Sequence, residues 1–226
     1  MFDNGRVTFP ADHPRAQLVI FDLDGTITDS APGVVASFRH ALSAVGAQAP
    51  DGDLAALAVG PPMHKSLAAL GLGEHTDEAI AAYRADYTSR GWAMNALFDG
   101  IAELLADLRT AGVRLAVATS KAEPIARQIL DHFGVIEHFE VIAGASLDGA
   151  RSAKTDVLAH ALAQLHPLPE TVVMVGDRSH DVEGAAEHGI PTLVAGWGYG
   201  ATDVIDYDAT VAYVATVDEL RGVLGV

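Results

Sequence analysis

The sequence predicts an α/β fold in which a mostly parallel sheet carries an all-helical insertion, and three observations lead there. Leu18–Phe21, Val113–Ser120 and Thr171–Asp177 are short apolar runs rich in β-branched residues, the pattern of strands buried on both faces. From Val113 onward, such strands alternate with helical patterns, as in a doubly wound sheet. Residues 48–98 carry short amphipathic helices and no convincing strand, so an inserted helical domain precedes the return to the sheet.

The elements follow in order. Residues 1–16 hold Pro10 and Pro14 with little periodicity and read as an N-terminal tail. After the first strand, Asp29 or Ser30 can cap a helix with Pro32 in its first turn, and Gly46 stops it. Helices are predicted over Asp53 to Val59, Met63 to Leu70 and Asp77 to about Arg90. Asp99 is then expected to cap the helix of Ile101, Leu104, Leu105 and Leu108, which Gly112 ends. Further strands are predicted near Glu140–Ala143, Pro191–Gly196 and Val211–Val214, with helices at about Thr155–Leu165 and Leu220–Leu224. The division is therefore a tail over 1–16, a core of 17–30 with 99–226, and a helical cap domain of 31–98.

Composition excludes several functions. The chain has no cysteine, which removes disulfides, thiolate metal sites and cysteine nucleophiles. A formal charge of -16 opposes binding to nucleic-acid phosphates or anionic membranes. No apolar stretch approaches the ~18 residues of a membrane span, so the expectation is a soluble, cytoplasmic protein without nucleic-acid or membrane partners.

Chemistry-bearing residues gather at predicted strand ends, where open α/β sheets bind ligands. Asp22 and Asp24 follow the first strand two residues apart, ahead of Gly25 and Thr26. If the chain stayed extended, both carboxylates would point one way. Thr119 and Ser120 end the second strand where a helix is expected to begin, so hydroxyls and free N–H groups could cradle a phosphate, although Ser120 could equally be a plain cap. Lys154 heads a helix, a position that the helix dipole disfavours for a cation and that suggests an anionic partner. Asp177 ends the TVVMV strand, and Asp181 lies one helical turn beyond it, where it could bind a metal or simply cap. Oxygen donors without sulfur or paired histidines favour Mg²⁺.

Taken together, DLDGT at 22–26, ATS at 118–120, Lys154 and GDRSHD at 176–181 resemble, in content, order and spacing, the haloacid dehalogenase-like hydrolases. The resemblance implies a Rossmann-like core with a helical cap. It also implies Asp22 as nucleophile, Asp24 as general acid then base with its carbonyl on the metal, Thr119 or Ser120 and Lys154 on the phosphoryl group, and Asp22 and Asp177 as further metal ligands. A second acid in the first motif suits a leaving group that needs a proton, hence phosphate transfer rather than dehalogenation. FDLDGTITDSAPG, VGPP, AVATSK, IAGASLDGARSAK and VGDRSHDVEGA together look like the phosphoglycolate-phosphatase-like subgroup that includes bacterial 5'-nucleotidases. Thr155 stands where relatives commonly have proline.

The expected activity is a Mg²⁺-dependent phosphatase for a small phosphorylated substrate, a nucleoside 5'-monophosphate or phosphoglycolate. A sugar phosphomutase would use the same intermediate, and a non-catalytic module would predict erosion of the acids, which are all present. Arg39 and Lys121, near the motifs, are candidates for substrate contact, and Asp181 for a supporting role beside the metal.

Overall fold

The computed structural model describes residues 15–52, 54–59, 63–200 and 210–226. Most of the predicted tail, Asp53 and the Gly60–Pro62 part of VGPP lie outside them. The chain divides into two compact units. One ends at Thr28 and resumes at Leu97, and the other is Asp29–Ala96.

The first unit holds a six-stranded parallel sheet, ordered β5-β4-β1-β6-β7-β8. Its strands are β1 (Leu18–Phe21), β4 (Arg114–Ala122), β5 (Val141–Ala145), β6 (Val172–Gly176), β7 (Thr192–Ala195) and β8 (Thr210–Val214). All four β1 residues are fully buried, which explains the unbroken apolar run; each contributes about 1.5–3 kcal/mol of burial. The pleat sends Leu18, Ile20, Ala116, Ala118 and Met174 to one face. There they pack on Val157, Leu158 and Ala161 of α7 (Lys154–Gln164) and Ala185 of α8 (Ser179–Ala186). Helices α5 (Ile101–Thr110) and α6 (Glu123–His132) pack on β4, and α9 (Val217–Leu224) packs on α5.

In the second unit, α1 (Ala31–Ala44) packs on α4 (Thr76–Ser89), and α2 (Leu54–Ala58) and α3 (Met63–Ala69) complete it. Tyr83 and Tyr87 of α4 stack at 5.6 Å, and Tyr87 is buried. Two short strands, β2 (Thr28–Asp29) and β3 (Ala96–Leu97), pair with each other. β3 falls within the stretch expected to have no strand, because two residues are too few to show alternation.

At α1 the expected pair divides: Ser30 occupies the N-cap without a side-chain capping bond, and Asp29 Oδ1 accepts the Ala31 N–H at 3.2 Å. Local expectations fail at three other helix starts. The N-cap of α5 is Gly100, not Asp99, because the turn there needs a φ of 83°. β4 runs on to Ala122, and α6 starts only at Glu123, so Ser120 caps nothing. α9 begins earlier than expected, at Val217, where Thr216 Oγ1 caps the helix by accepting the Glu219 N–H at 3.1 Å and Glu219 Oε2 reaches back to accept the Ala215 N–H at 2.8 Å.

Candidate active site

Strand order determines which side chains meet. β1 lies between β4 and β6, with Phe21 in register with Val117 and Val175. The carboxyl ends of these three strands therefore converge, carrying Asp22, Thr119 and Asp177. The Asp22 N–H donates to Val175 O at 2.8 Å, which ties the first acid to the neighbouring strand.

Beyond Asp22 the chain bends instead of staying extended. Gly25 takes a φ of 84°, and its N–H donates to Thr28 O at 2.8 Å. The two acids of this segment acquire different lysines. Lys154 Nζ lies 2.9 Å from Asp22 Oδ1, 2.7 Å from Asp181 Oδ1 and 2.9 Å from Ala118 O, with its side chain only 1% exposed. Lys121 Nζ lies 2.9 and 2.7 Å from the two Asp24 oxygens.

Burial alone would lower the Lys154 pKa, but the charges of Asp181 and Asp22 outweigh it and hold the ammonium well above its usual range. For Asp181, burial works in the opposite sense, and Lys154 and His180 together keep its carboxyl below the ordinary value. Asp181 Oδ2 also accepts the Arg178 N–H at 3.1 Å, so this acid both closes the start of α8 and holds Lys154.

Asp177 has no such lysine. Burial, with the Asp181 and Asp22 charges added, raises its pKa to about 7. Its Oδ2 accepts the Tyr199 N–H at 2.7 Å, whereas Oδ1 is buried with no hydrogen-bond partner among the described residues. Glycine surrounds this carboxylate: a Cβ on Gly25 would sit 2.5 Å from Asp177 Oδ2, and one on Gly198 would overlap the Asp177 side chain. Asp22, Asp181 and His180 offer ligand atoms within 4.8 Å of one another, a cluster able to hold a cation.

Sequence reasoning missed the loop after β7. Trp197 Nε1 donates to Thr26 O at 3.0 Å, and the Arg178 guanidinium lies 5.9 Å from the centre of the Tyr199 ring. The alternation of glycine and aromatic residues in GWGYG, directly after a strand at the carboxyl end of the sheet, was the available signal. His180, within GDRSHD, lies with its Nε2 3.7 Å from Asp181 Oδ1.

The other predicted residues separate. Thr119 is buried, and its Oγ1 accepts the Lys121 N–H at 3.2 Å, whereas Ser120 is exposed. Arg39 is exposed on α1 and belongs to the helical unit. A cavity of about 340 Å³ lies at the opposite, amino end of the sheet, lined by Gln17, Val113 and Arg114 and, among the described residues, by no acidic side chain.

The model of the haloacid dehalogenase-like hydrolases matches residues 19–195, from β1 through the last residue of β7. The chain belongs to this family. Among relatives of this haloacid dehalogenase-like chain, Tyrosine-protein kinase PtkA of Mycobacterium tuberculosis is 70% identical over 98% of this chain and 76% of its own length. A 5'-nucleotidase of Pseudomonas aeruginosa is 38% identical over 91% of this chain and 94% of its own. The solved structure of M. tuberculosis PtkA superposes with a TM-score of 0.84 at 71% identity, covering 95% of this chain and all of that one. Among the described residues, no helix is long and apolar enough to cross a membrane.

Proposed function

We propose that this chain is a Mg²⁺-dependent phosphomonoester phosphatase that works through an aspartyl phosphate on Asp22. The observation that carries the reading is the division of charge: Asp22 buried against Lys154, Asp24 gripped by Lys121, and Asp177 left with an unpartnered oxygen. Family membership and the 5'-nucleotidase relative support it.

The donor set fits a hard cation. Asp177 supplies oxygen in a glycine-lined recess that the Asp22 charge also reaches, and the unpartnered Asp177 Oδ1 is the atom a cation would satisfy. His180, half-exposed and offering nitrogen, is a poorer Mg²⁺ ligand, and Asp181 is already engaged by Lys154. Asp22, Asp177 and the Asp24 carbonyl would therefore hold the ion, whose chemistry is to neutralise phosphate charge beside an anionic nucleophile.

In the first step, an Asp22 oxygen bonds to phosphorus while the ester P–O bond breaks, and the departing oxygen takes a proton from Asp24. Water then attacks the phosphorus, returns a proton to Asp24 and frees phosphate and Asp22. Lys154 would balance charge on the transferring oxygens, and Thr119 or Ser120 would donate a hydroxyl to them.

The PtkA relative favours a second reading, in which a nucleoside triphosphate phosphorylates Asp22 and a tyrosine hydroxyl replaces water as acceptor. Neither the GxxxxGK[ST] loop nor the HRD and DFG motifs of other phosphoryl-transfer enzymes occur in the sequence, so any such transfer would run through the same aspartate. A panel of phosphomonoesters tests both readings. Phosphate release in Mg²⁺ that Asp22→Asn abolishes supports the phosphatase. Transfer from ATP to a tyrosine peptide without phosphate release supports the kinase, and isomerised sugar phosphate supports a mutase.

A further inference from the structure

We propose that Lys121 is a positioning residue that sets Asp24 for proton transfer to the leaving group; this assignment rests on the phosphatase reading above. Lys121 Nζ lies 2.7 and 2.9 Å from the two oxygens of Asp24, so a single ammonium fixes the plane of the carboxylate. The Lys121 side chain is 9% exposed and that of Asp24 22%, enough shielding for the pair to persist. The terminal torsion of an aspartate is broad, so an ungripped Asp24 would sample orientations that miss the departing oxygen.

Both partners are rooted in backbone. Lys121 lies on the extra length of β4, and its N–H is held by Thr119 Oγ1. Asp24 forms a bridge with Thr28 on a turn closed by Gly25 N–H to Thr28 O. The two lysines divide their work. Lys154 serves Asp22 and Asp181, the side of the site where the phosphoryl group bonds, and Lys121 serves the acid that handles the leaving group.

This division predicts a dependence on the leaving group. In the first step the proton on Asp24 moves to the ester oxygen as the P–O bond breaks and leaves the carboxylate that the Lys121 ammonium grips, so Lys121 favours the donation; an alkoxide needs that proton, whereas a nitrophenolate leaves without it. Benzyl phosphate and 4-nitrophenyl phosphate, similar in size, separate the two cases.

Lys121→Met should lower kcat/KM for benzyl phosphate by roughly 100-fold, the lower range for general acid catalysis, and by less than about 10-fold for 4-nitrophenyl phosphate. Lys121→Arg should recover part of the loss. Added to Asp24→Asn, Lys121→Met should change nothing further, because its effect runs through the missing acid. Equal losses on both esters, or losses that multiply in the double variant, would overturn the assignment and make Lys121 a substrate contact. Loss of fold in Lys121→Met, seen by circular dichroism, shifts the decision to Lys121→Arg, for which a loss confined to benzyl phosphate supports the assignment and an even loss overturns it. A wild-type chain that releases phosphate from neither ester overturns the phosphatase reading, and this assignment with it.

Discussion

Replacing Lys154 with methionine keeps the side-chain stem and removes a single charge from the most enclosed part of the site. The ammonium it deletes touches Asp22, Asp181 and the Ala118 carbonyl, all within 2.9 Å, and its side chain is 1% exposed. Breaking a buried ion pair from one side strands the remaining charge and costs about 3–5 kcal/mol. At roughly 2–4 °C per kcal/mol for a chain of this length, Tm should fall by roughly 6–20 °C. Without Lys154, burial acts on Asp181 with only His180 and backbone contacts against it, so its folded pKa should rise above the unfolded one. Its protonated form then favours the fold at low pH, and the deficit of the variant should shrink near pH ~5 and grow toward pH ~8. Adding Asp181→Asn should restore part of the loss by removing one stranded charge. The assay is thermal and denaturant unfolding in EDTA across that pH range. A loss below about 1 kcal/mol, the value of an exposed pair, or a deficit that does not vary with pH, would refute the reasoning.

Other consequences concern the metal recess and its glycines. The folded pKa of Asp177 is raised to about 7 by burial and by Asp181 and Asp22, so its protonated form stabilises the metal-free fold and that contribution is lost as pH rises from the ordinary carboxylate value through about 7. Unfolding scans in EDTA should show this decline, and Mg²⁺ should remove it; a flat profile counts against it. Mg²⁺ must displace that proton, so calorimetric affinity should fall up to about tenfold per pH unit below about 7 and level off above it, and indifference to pH would separate Asp177 from the metal. Gly198→Ala should destabilise by about 1–3 kcal/mol through overlap with Asp177 and weaken Mg²⁺ binding, whereas Gly222→Ala in α9, with open space around it, should stabilise by about 0.5–1 kcal/mol. Equal effects of the two substitutions on denaturant midpoints would mean that the recess is not tightly packed.

The sheet was readable because burial on both faces leaves an unbroken apolar run, as in Leu18–Phe21 and Val173–Val175. The acids were readable because they stand directly after those runs. What the sequence concealed depends on contacts between distant segments. Nothing local distinguishes Asp99 from Gly100 as a cap until the φ of 83° is known. Lys121 suggested a substrate contact because its partner, Asp24, lies 97 residues away. Trp197 and Tyr199 drew no attention because they act through an indole N–H and a main-chain N–H, groups that carry no sequence signature of their own. Ser120 does not cap a helix because β4 outlasts its apolar stretch, and a strand can end in polar residues when a neighbouring strand still pairs with it.

Trapping the covalent intermediate tests the central claim most directly. Wild-type protein mixed with 4-nitrophenyl phosphate and Mg²⁺, quenched in acid within the first turnover and reduced with borohydride, should yield homoserine at position 22 in the peptide mass spectrum, because hydride reduces an aspartyl phosphate and spares a free carboxylate. Homoserine at another aspartate, or phosphate released in that turnover with Asp22 unmodified, would contradict Asp22 as the nucleophile.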